Sequence, residues 1–278
     1  MNFTLIATAV FAFGCIIGSF LNVVILRYNT GMTLRGRSRC FLCGRTLRLV
    51  ELIPVFSFII GRGRCIRCRA RISFQYPLVE LLTGVLFLAL FFKFLFSVPS
   101  PYFILYTLYS YTLFSLLLVI TVYDLRHKII PDGPVYAFAA LAFLGGAAAI
   151  SAAPHFPAFL IAGPVVALPL FLLWLVSRGR WIGLGDAKLA LGIGWLLGIS
   201  DGFSALIFGF WIGAAVGLLL ILAARLRRAA FFRGLSLSFA LKNLTIKSEI
   251  PFAPFLILGT FLVFYFGISP FTLFSGLF

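Results

Sequence analysis

Seven acidic residues stand in a chain of 278: Glu51, Glu80, Asp124, Asp132, Asp186, Asp201 and Glu249. Two of them sit where acid–base chemistry is plausible. Asp186 follows two glycines in Trp181-Ile182-Gly183-Leu184-Gly185-Asp186-Ala187-Lys188-Leu189, at the mouth of an apolar stretch. Asp124 closes another apolar stretch and opens Asp124-Leu125-Arg126-His127-Lys128-Ile129-Ile130-Pro131-Asp132. An ionisable residue at the edge of a membrane segment is costly, which makes it a functional-site hypothesis. Carboxylates brought together cannot both ionise cheaply, so they share a proton. One then acts as general base on a water, the other as general acid toward a carbonyl oxygen or leaving amine. Which does which belongs to the pair rather than to either residue. Gly183 and Gly185 would let backbone approach an extended substrate. Taken alone, the residues leave a second reading open, in which Asp186 caps a helix and Asp124 pairs with Arg126 or Lys128.

The cysteines carry a different chemistry. Cys40-Phe41-Leu42-Cys43 and Cys65-Ile66-Arg67-Cys68 are two C-x-x-C pairs in a polar segment, and a fifth cysteine, Cys15, lies alone in an apolar run. Each pair can supply two corners of a tetrahedron. Four thiolates suit zinc, and a closed four-ligand set is structural rather than catalytic. An iron–sulfur cluster is the rival occupant. Cys15 is expected to be a packed small apolar residue.

These groups have to be positioned by membrane helices. The chain is 62% hydrophobic and 11% charged, with a mean hydropathy of +1.13. No soluble core needs so much apolar surface. The apolar runs are continuous and about 20 residues long, as a helix crossing ~30 Å of hydrocarbon requires, and they lack the alternation of a membrane barrel. The expected fold is an all-α polytopic membrane protein of about eight transmembrane helices, with a small cytoplasmic zinc-binding loop domain between the first two. The spans are placed at about 3–26, 77–96, 102–123, 131–150, 158–176, 186–199, 203–224 and 254–274. Three divisions follow: a first helix over 1–26, a tetracysteine domain over 27–76, and a membrane core over 77–278.

The net charge of +16 agrees with this topology. The loops assigned inside hold 21 of the 23 lysines and arginines, leaving only Lys93 outside and Lys188 within the sixth span. Such asymmetry places these loops in the cytoplasm and both termini outside. It also accounts for the charge without a nucleic-acid partner. The same count puts Asp124 and Asp186 at one membrane face.

The remaining polar residues have local readings. Glu80, early in the second span, is placed to reach arginines of the loop or a cationic substrate group. Asn22, in Gly18-Ser19-Phe20-Leu21-Asn22, needs a partner between helices. Lys188 either snorkels to the interface or receives the charge of the acid pair. Asp132 is expected to cap a helix or a turn.

Together these stretches resemble the type IV prepilin peptidases, the bifunctional leader peptidases and N-methyltransferases of the G-x-G-D aspartyl protease group. The matching segments are GSFLNVVILR from Gly18, the two C-x-x-C pairs, IPVFSF from Ile53, GRCIRC from Gly63, SFQYPLVELLTG from Ser73, DLRHKIIPD from Asp124, GLGDAKL from Gly183 and EIPFAPFL from Glu249. They occur in the family's order from the first span to the last. The resemblance implies a multi-pass protein of the bacterial cytoplasmic (inner) membrane. Asp124 and Asp186 would be its catalytic pair, cleaving the basic leader of prepilins or pseudopilins after a glycine at the cytoplasmic face. It further implies methylation of the new amino terminus with S-adenosylmethionine, linked to the cysteine loop and to Gly63. Glu80, Asn22 and Arg27 carry over as candidates for methyl transfer or leader binding. The sequence departs from many relatives at Phe41, where proline is common, which alters loop stiffness rather than ligation. Two rivals from other classes are a proton-coupled transporter, which needs acids near the midplane, and a non-catalytic zinc-loop scaffold. Membrane lipid is an expected partner in every case.

Overall fold

The computed structural model describes residues 2–97, 100–150, 155–228 and 251–270. Nine α-helices and one 3-10 turn (Leu49–Leu52) account for them: α1 Phe3–Arg27, α2 Phe56–Ile60, α3 Gln75–Ser97, α4 Ser100–His127, α5 Asp132–Ile150, α6 Phe156–Ser177, α7 Leu184–Leu197, α8 Ile199–Arg228 and α9 Ala253–Phe266. Among the described residues, extended pairing is confined to two isolated bridges, Arg39 with Thr46 and Arg64 with Arg71. The expected all-helical membrane architecture is therefore found. The chain divides into two compact units, Met1–Val119 and Ile120–Phe278.

The count of eight spans is not confirmed by helix length. Each proposed span has a helix, and among the described residues six are long and apolar enough to cross a membrane: α1, α3, α4, α5, α6 and α8. The described parts of α7 and α9 hold 14 residues each. At 1.5 Å per residue such a helix covers about 21 Å, short of the ~30 Å hydrocarbon core. Periodicity had no means of separating a short buried helix from a spanning one, since both are apolar all round. Four expected features lie outside the described residues: the turn over 151–154, the basic positions Arg233, Lys242 and Lys247, the start of the EIPFAPFL segment at Glu249, and the end of the last span at 271–274.

In the first unit, α1 and α3 pack antiparallel through small residues. A Cβ on Gly14 would lie 2.8 Å from the Gly84 Cα, and one on Gly18 would lie 2.7 Å from the Glu80 Cα. The pairings 14 with 84 and 18 with 80 continue at 22 with 76, where Asn22 Nδ2 donates to the Tyr76 carbonyl at 3.2 Å. Asn22 thus has the interhelical partner its burial demands. Cys15 is buried with its sulfur against Gly84, as a packed apolar residue.

In the second unit, α7 is the centre, packed by α5, α6, α8 and α9. Leu189, Ala190 and Ile193 are fully buried. Glycines bring the neighbours close: a Cβ at Gly192 would lie 2.6 Å from the Phe138 ring of α5, and one at Gly163 of α6 would lie 2.6 Å from the Trp195 ring of α7. A short helix enclosed on all sides is a rigid support for the acid at its N-terminus.

Candidate functional site

Asp186 is the third residue of α7, whose N-cap is Gly183. The first N–H groups of any helix lack intrahelical acceptors. The Asp186 carboxylate turns back to accept from the backbone N–H of Gly183 and from its own N–H. Oδ2 is the oxygen near Gly183, and Oδ1 is buried without a hydrogen-bond partner among the described residues. The helix-cap reading is therefore correct for one of the two oxygens.

Asp124 lies near the end of α4, and its carbonyl accepts the Lys128 N–H at 2.7 Å where the helix closes. Its carboxylate accepts from the backbone N–H of Ala253, the first residue of α9. Here too one oxygen, Oδ2, is buried with no hydrogen-bond partner among the described residues. Both acids line a single cavity of about 770 Å³. Its remaining wall is mainly apolar, with Trp181, Phe210, Phe252 and Phe255. The Ala253 donor and this aromatic wall were missed by sequence reasoning. The signal available was Pro254, which marks a helix start.

The two glycines of the G-x-G-D stretch do different things. A Cβ on Gly185 would lie 2.8 Å from the Ile130 Cβ, whereas one on Gly183 would meet nothing closer than Asp186 Oδ2 at 3.5 Å. Lys188 does not face the acids. Its ammonium pairs with Asp132 Oδ1 at 2.7 Å and stands 5.0 Å from the Tyr136 ring centroid. Asp132, the first residue of α5, is thus an ion-pair partner as well as a helix-end acid.

In the first unit the four cysteine sulfurs lie within 4.8 Å of one another. The two pairs fold alike. Cys40 N–H donates to the Arg45 carbonyl and Gly44 N–H to the Cys40 carbonyl; Cys65 N–H donates to Ala70 and Arg69 N–H to Cys65. Backbone N–H groups of Cys43 and Leu42 aim at the Cys40 sulfur and hold its thiol down at about 6, and those of Cys68 and Arg67 lower Cys65 in the same way. Such amides stabilise thiolates, the form a metal binds. Zinc–sulfur bonds of about 2.3 Å give a tetrahedron edge of about 3.8 Å, and Cys40 and Cys68 sulfurs are 3.7 Å apart. The donor set fits zinc.

The other candidates have structural partners. Glu80 does not reach the loop arginines. It is buried, its Oε2 accepts the Val55 N–H at 2.7 Å, and it also takes the Ser19 hydroxyl. The loop's own acid, Glu51, is the residue that pairs with an arginine, Arg45. Arg27 Nη1 donates to the carbonyls of Thr33 and Arg35. Gly63 has φ +65°, and a Cβ there would stand 3.1 Å from the Phe58 ring. Its N–H donates to the Phe58 carbonyl in the turn that leads to Cys65.

Comparison with known proteins agrees with the two-unit division. Residues 12–94 match a family described as the bacterial peptidase A24 N-terminal domain, and residues 111–218 match the type IV leader peptidase family. The prepilin leader peptidase/N-methyltransferase of Bacillus subtilis (strain 168) is 33% identical over 263 residues, covering 93% of this chain and 94% of the relative. The protein of the same description from Burkholderia pseudomallei (strain K96243) is 30% identical, covering 95% and 86%. That from Myxococcus xanthus (strain DK1622) is 36% identical over 79% of this chain and 64% of the relative. No solved structure matches.

Proposed function

The chain belongs to the type IV leader peptidase family, and from this premise we propose that it cleaves the leader from prepilins or pseudopilins at the Asp124–Asp186 pair and methylates the amino terminus so released. The single observation that carries the cleavage site is that Asp124 and Asp186 are both buried and line one cavity. Each acid is oriented by a backbone N–H and keeps one oxygen without a hydrogen-bond partner among the described residues. The ionised member takes a proton from the attacking water while the protonated member gives one to the carbonyl oxygen. The tetrahedral intermediate then collapses as the proton returns to the leaving amine.

A substrate with a basic leader and an apolar helix would lie with the helix in lipid and the leader in the cytoplasm. The basic flanks of the helices set the same orientation for this chain, and its scissile bond then falls at the depth of the two acids. The transporter reading loses force because both acids end helices rather than sit mid-span. Zinc held by Cys40, Cys43, Cys65 and Cys68 would fix the loop and take no part in bond breaking. The methyl donor expected for the second activity is S-adenosylmethionine. Gly63 remains the residue that the family resemblance links to this second activity.

The test is incubation of the full chain with a prepilin, with and without S-adenosylmethionine, followed by mass spectrometry. Cleavage after the leader's last residue, abolished by either Asp124→Asn or Asp186→Asn, is the expected result. Processing that survives both changes would refute the assignment.

A further inference from the structure

The loop between α1 and α3 exposes apolar side chains that a water-facing domain would bury. Leu49 in the 3-10 turn is 85% exposed; Phe56, Ile59 and Ile60 on α2 are 65%, 64% and 73% exposed. The last three are spaced i, i+3, i+4 and share one face, and α2 packs beside the 3-10 turn. Exposed apolar surface of this extent marks an interaction site.

Its location is set by Glu80. That residue is sixth in α3, about 7 Å along the axis from the helix start at 1.5 Å per residue. Its carboxylate holds the Val55 N–H, so the backbone that begins α2 is pinned beside the second turn of a membrane-crossing helix. Ser19, the other partner of Glu80, lies eight residues inside the end of α1. Val55 itself has φ 64° and ψ −52°, and the Phe56 N–H closes on the Pro54 carbonyl at 2.6 Å. A β-branched residue in that region is a strained outlier, and such strain persists only where the surroundings hold it. Here the strained residue begins α2, whose apolar face is left exposed; amphipathic segments bury such a face ~5–10 Å into the headgroup–acyl boundary.

Charge selects the occupant. From Arg27 to Gln75 the loop carries eleven arginines and one acid, Glu51, and Arg45 neutralises that acid. Arg62, Arg64, Arg67 and Arg69 are exposed just after α2. Apolar side chains beside unneutralised arginines match acyl chains beside phosphates. A basic leader would be repelled by the same surface.

We propose that residues 49–60 form a foot that lies in the membrane interface, with Phe56, Ile59 and Ile60 among the acyl chains and the following arginines on anionic phospholipid headgroups. The foot holds the cysteine domain against the bilayer, and its existence does not depend on the peptidase assignment.

The full chain in nanodiscs of equal phosphatidylglycerol and phosphatidylcholine, with Phe56 or, separately, Ile60 replaced by p-benzoylphenylalanine, tests this. Both side chains are exposed, so neither replacement disturbs packing, and prepilin cleavage by the same sample reports the peptidase reading separately. On irradiation, mass spectrometry should find lipid adducts at both positions, with phosphatidylglycerol favoured several-fold. Arg62→Gln with Arg67→Gln should bring that preference close to equal labelling, since each arginine is worth up to about five-fold. Adducts to other parts of the chain or to added prepilin in place of lipid, or equal labelling of the two lipids, would overturn the proposal.

Discussion

Gly183 and Gly185 look equivalent in the sequence, and the structure separates them. Alanine at Gly185 would put a Cβ 2.8 Å from the Ile130 Cβ, 3.2 Å from its Cδ1 and 3.3 Å from its Cγ1. Favourable carbon contacts lie near 3.5–4.0 Å, so the first turn of α7 has to move away from Ile130 by up to about 1 Å. Overpacking of this kind costs ~1–3 kcal/mol. Its effect on catalysis is larger, because Asp186 is the next residue and a displacement near 1 Å can cost ~100-fold. Gly183 has φ −74° and ψ 150°, which any residue adopts, and its open side faces the cavity. Gly183→Ala should therefore fold normally and weaken substrate binding, raising KM, while Gly185→Ala should lower kcat by roughly 100-fold. The assay is prepilin cleavage at varied substrate concentration, beside thermal unfolding of each variant. Ile130→Ala should rescue Gly185→Ala only in part, since the closest clash is with a Cβ that alanine retains. Full kcat in Gly185→Ala, or a folding defect in Gly183→Ala as large as its partner's, would refute this division of roles.

Further outcomes can be stated briefly. Asp124→Asn and Asp186→Asn should each reduce cleavage by at least ~10²–10⁴-fold, and the double variant should be little worse than either single one, because the two act as a unit. Asp132 lines the same cavity, yet its pair with Lys188 is part-exposed, which limits its worth to ~0–1 kcal/mol; Asp132→Asn should keep cleavage within about ten-fold and the melting temperature nearly unchanged. Cys40→Ser should lower bound zinc below one per chain by elemental analysis and expose the loop arginines to trypsin. Zinc uptake by stripped protein should weaken as pH falls, because the four thiols must give up their protons for the metal to bind. Glu80→Gln keeps an acceptor for the Val55 N–H and should retain the loop's protease resistance, whereas Glu80→Ala should lose it.

Much of this was legible in advance because it rests on spacing. Two C-x-x-C pairs announce a metal whatever the surroundings, and a hydropathy run announces a helix. The basic residues even placed Asp124 and Asp186 at one face. What stayed hidden depends on neighbours distant in the chain. The register of α1 against α3 comes from Gly14, Gly18 and Asn22 meeting Gly84, Glu80 and Tyr76, and no local pattern announces which residues face each other. Glu80 looked like a partner for arginines because charge dominates a linear reading; in the fold it prefers a strained backbone N–H at Val55. The brevity of α7 was masked by the uniformly apolar composition that lets it be buried.

The sequence also posed capping against catalysis for Asp186, and an ion pair with Arg126 or Lys128 against catalysis for Asp124, but a structural partner and a chemical role do not exclude each other. A helix N-terminus offers backbone donors that nothing inside the helix can satisfy, and a carboxylate has two oxygens with room for more than one partner each. Asp186 caps α7 through Gly183, and Asp124 receives the first N–H of α9 through Ala253. Each acid is oriented by the partner that satisfies one oxygen, which is why its second oxygen can remain buried and unsatisfied in a defined direction. Free side chains at span ends would swing to the headgroups and lose that geometry. The two short helices are thereby explained together: α7 and α9 each bring the backbone donors of an N-terminus to one of the two acids.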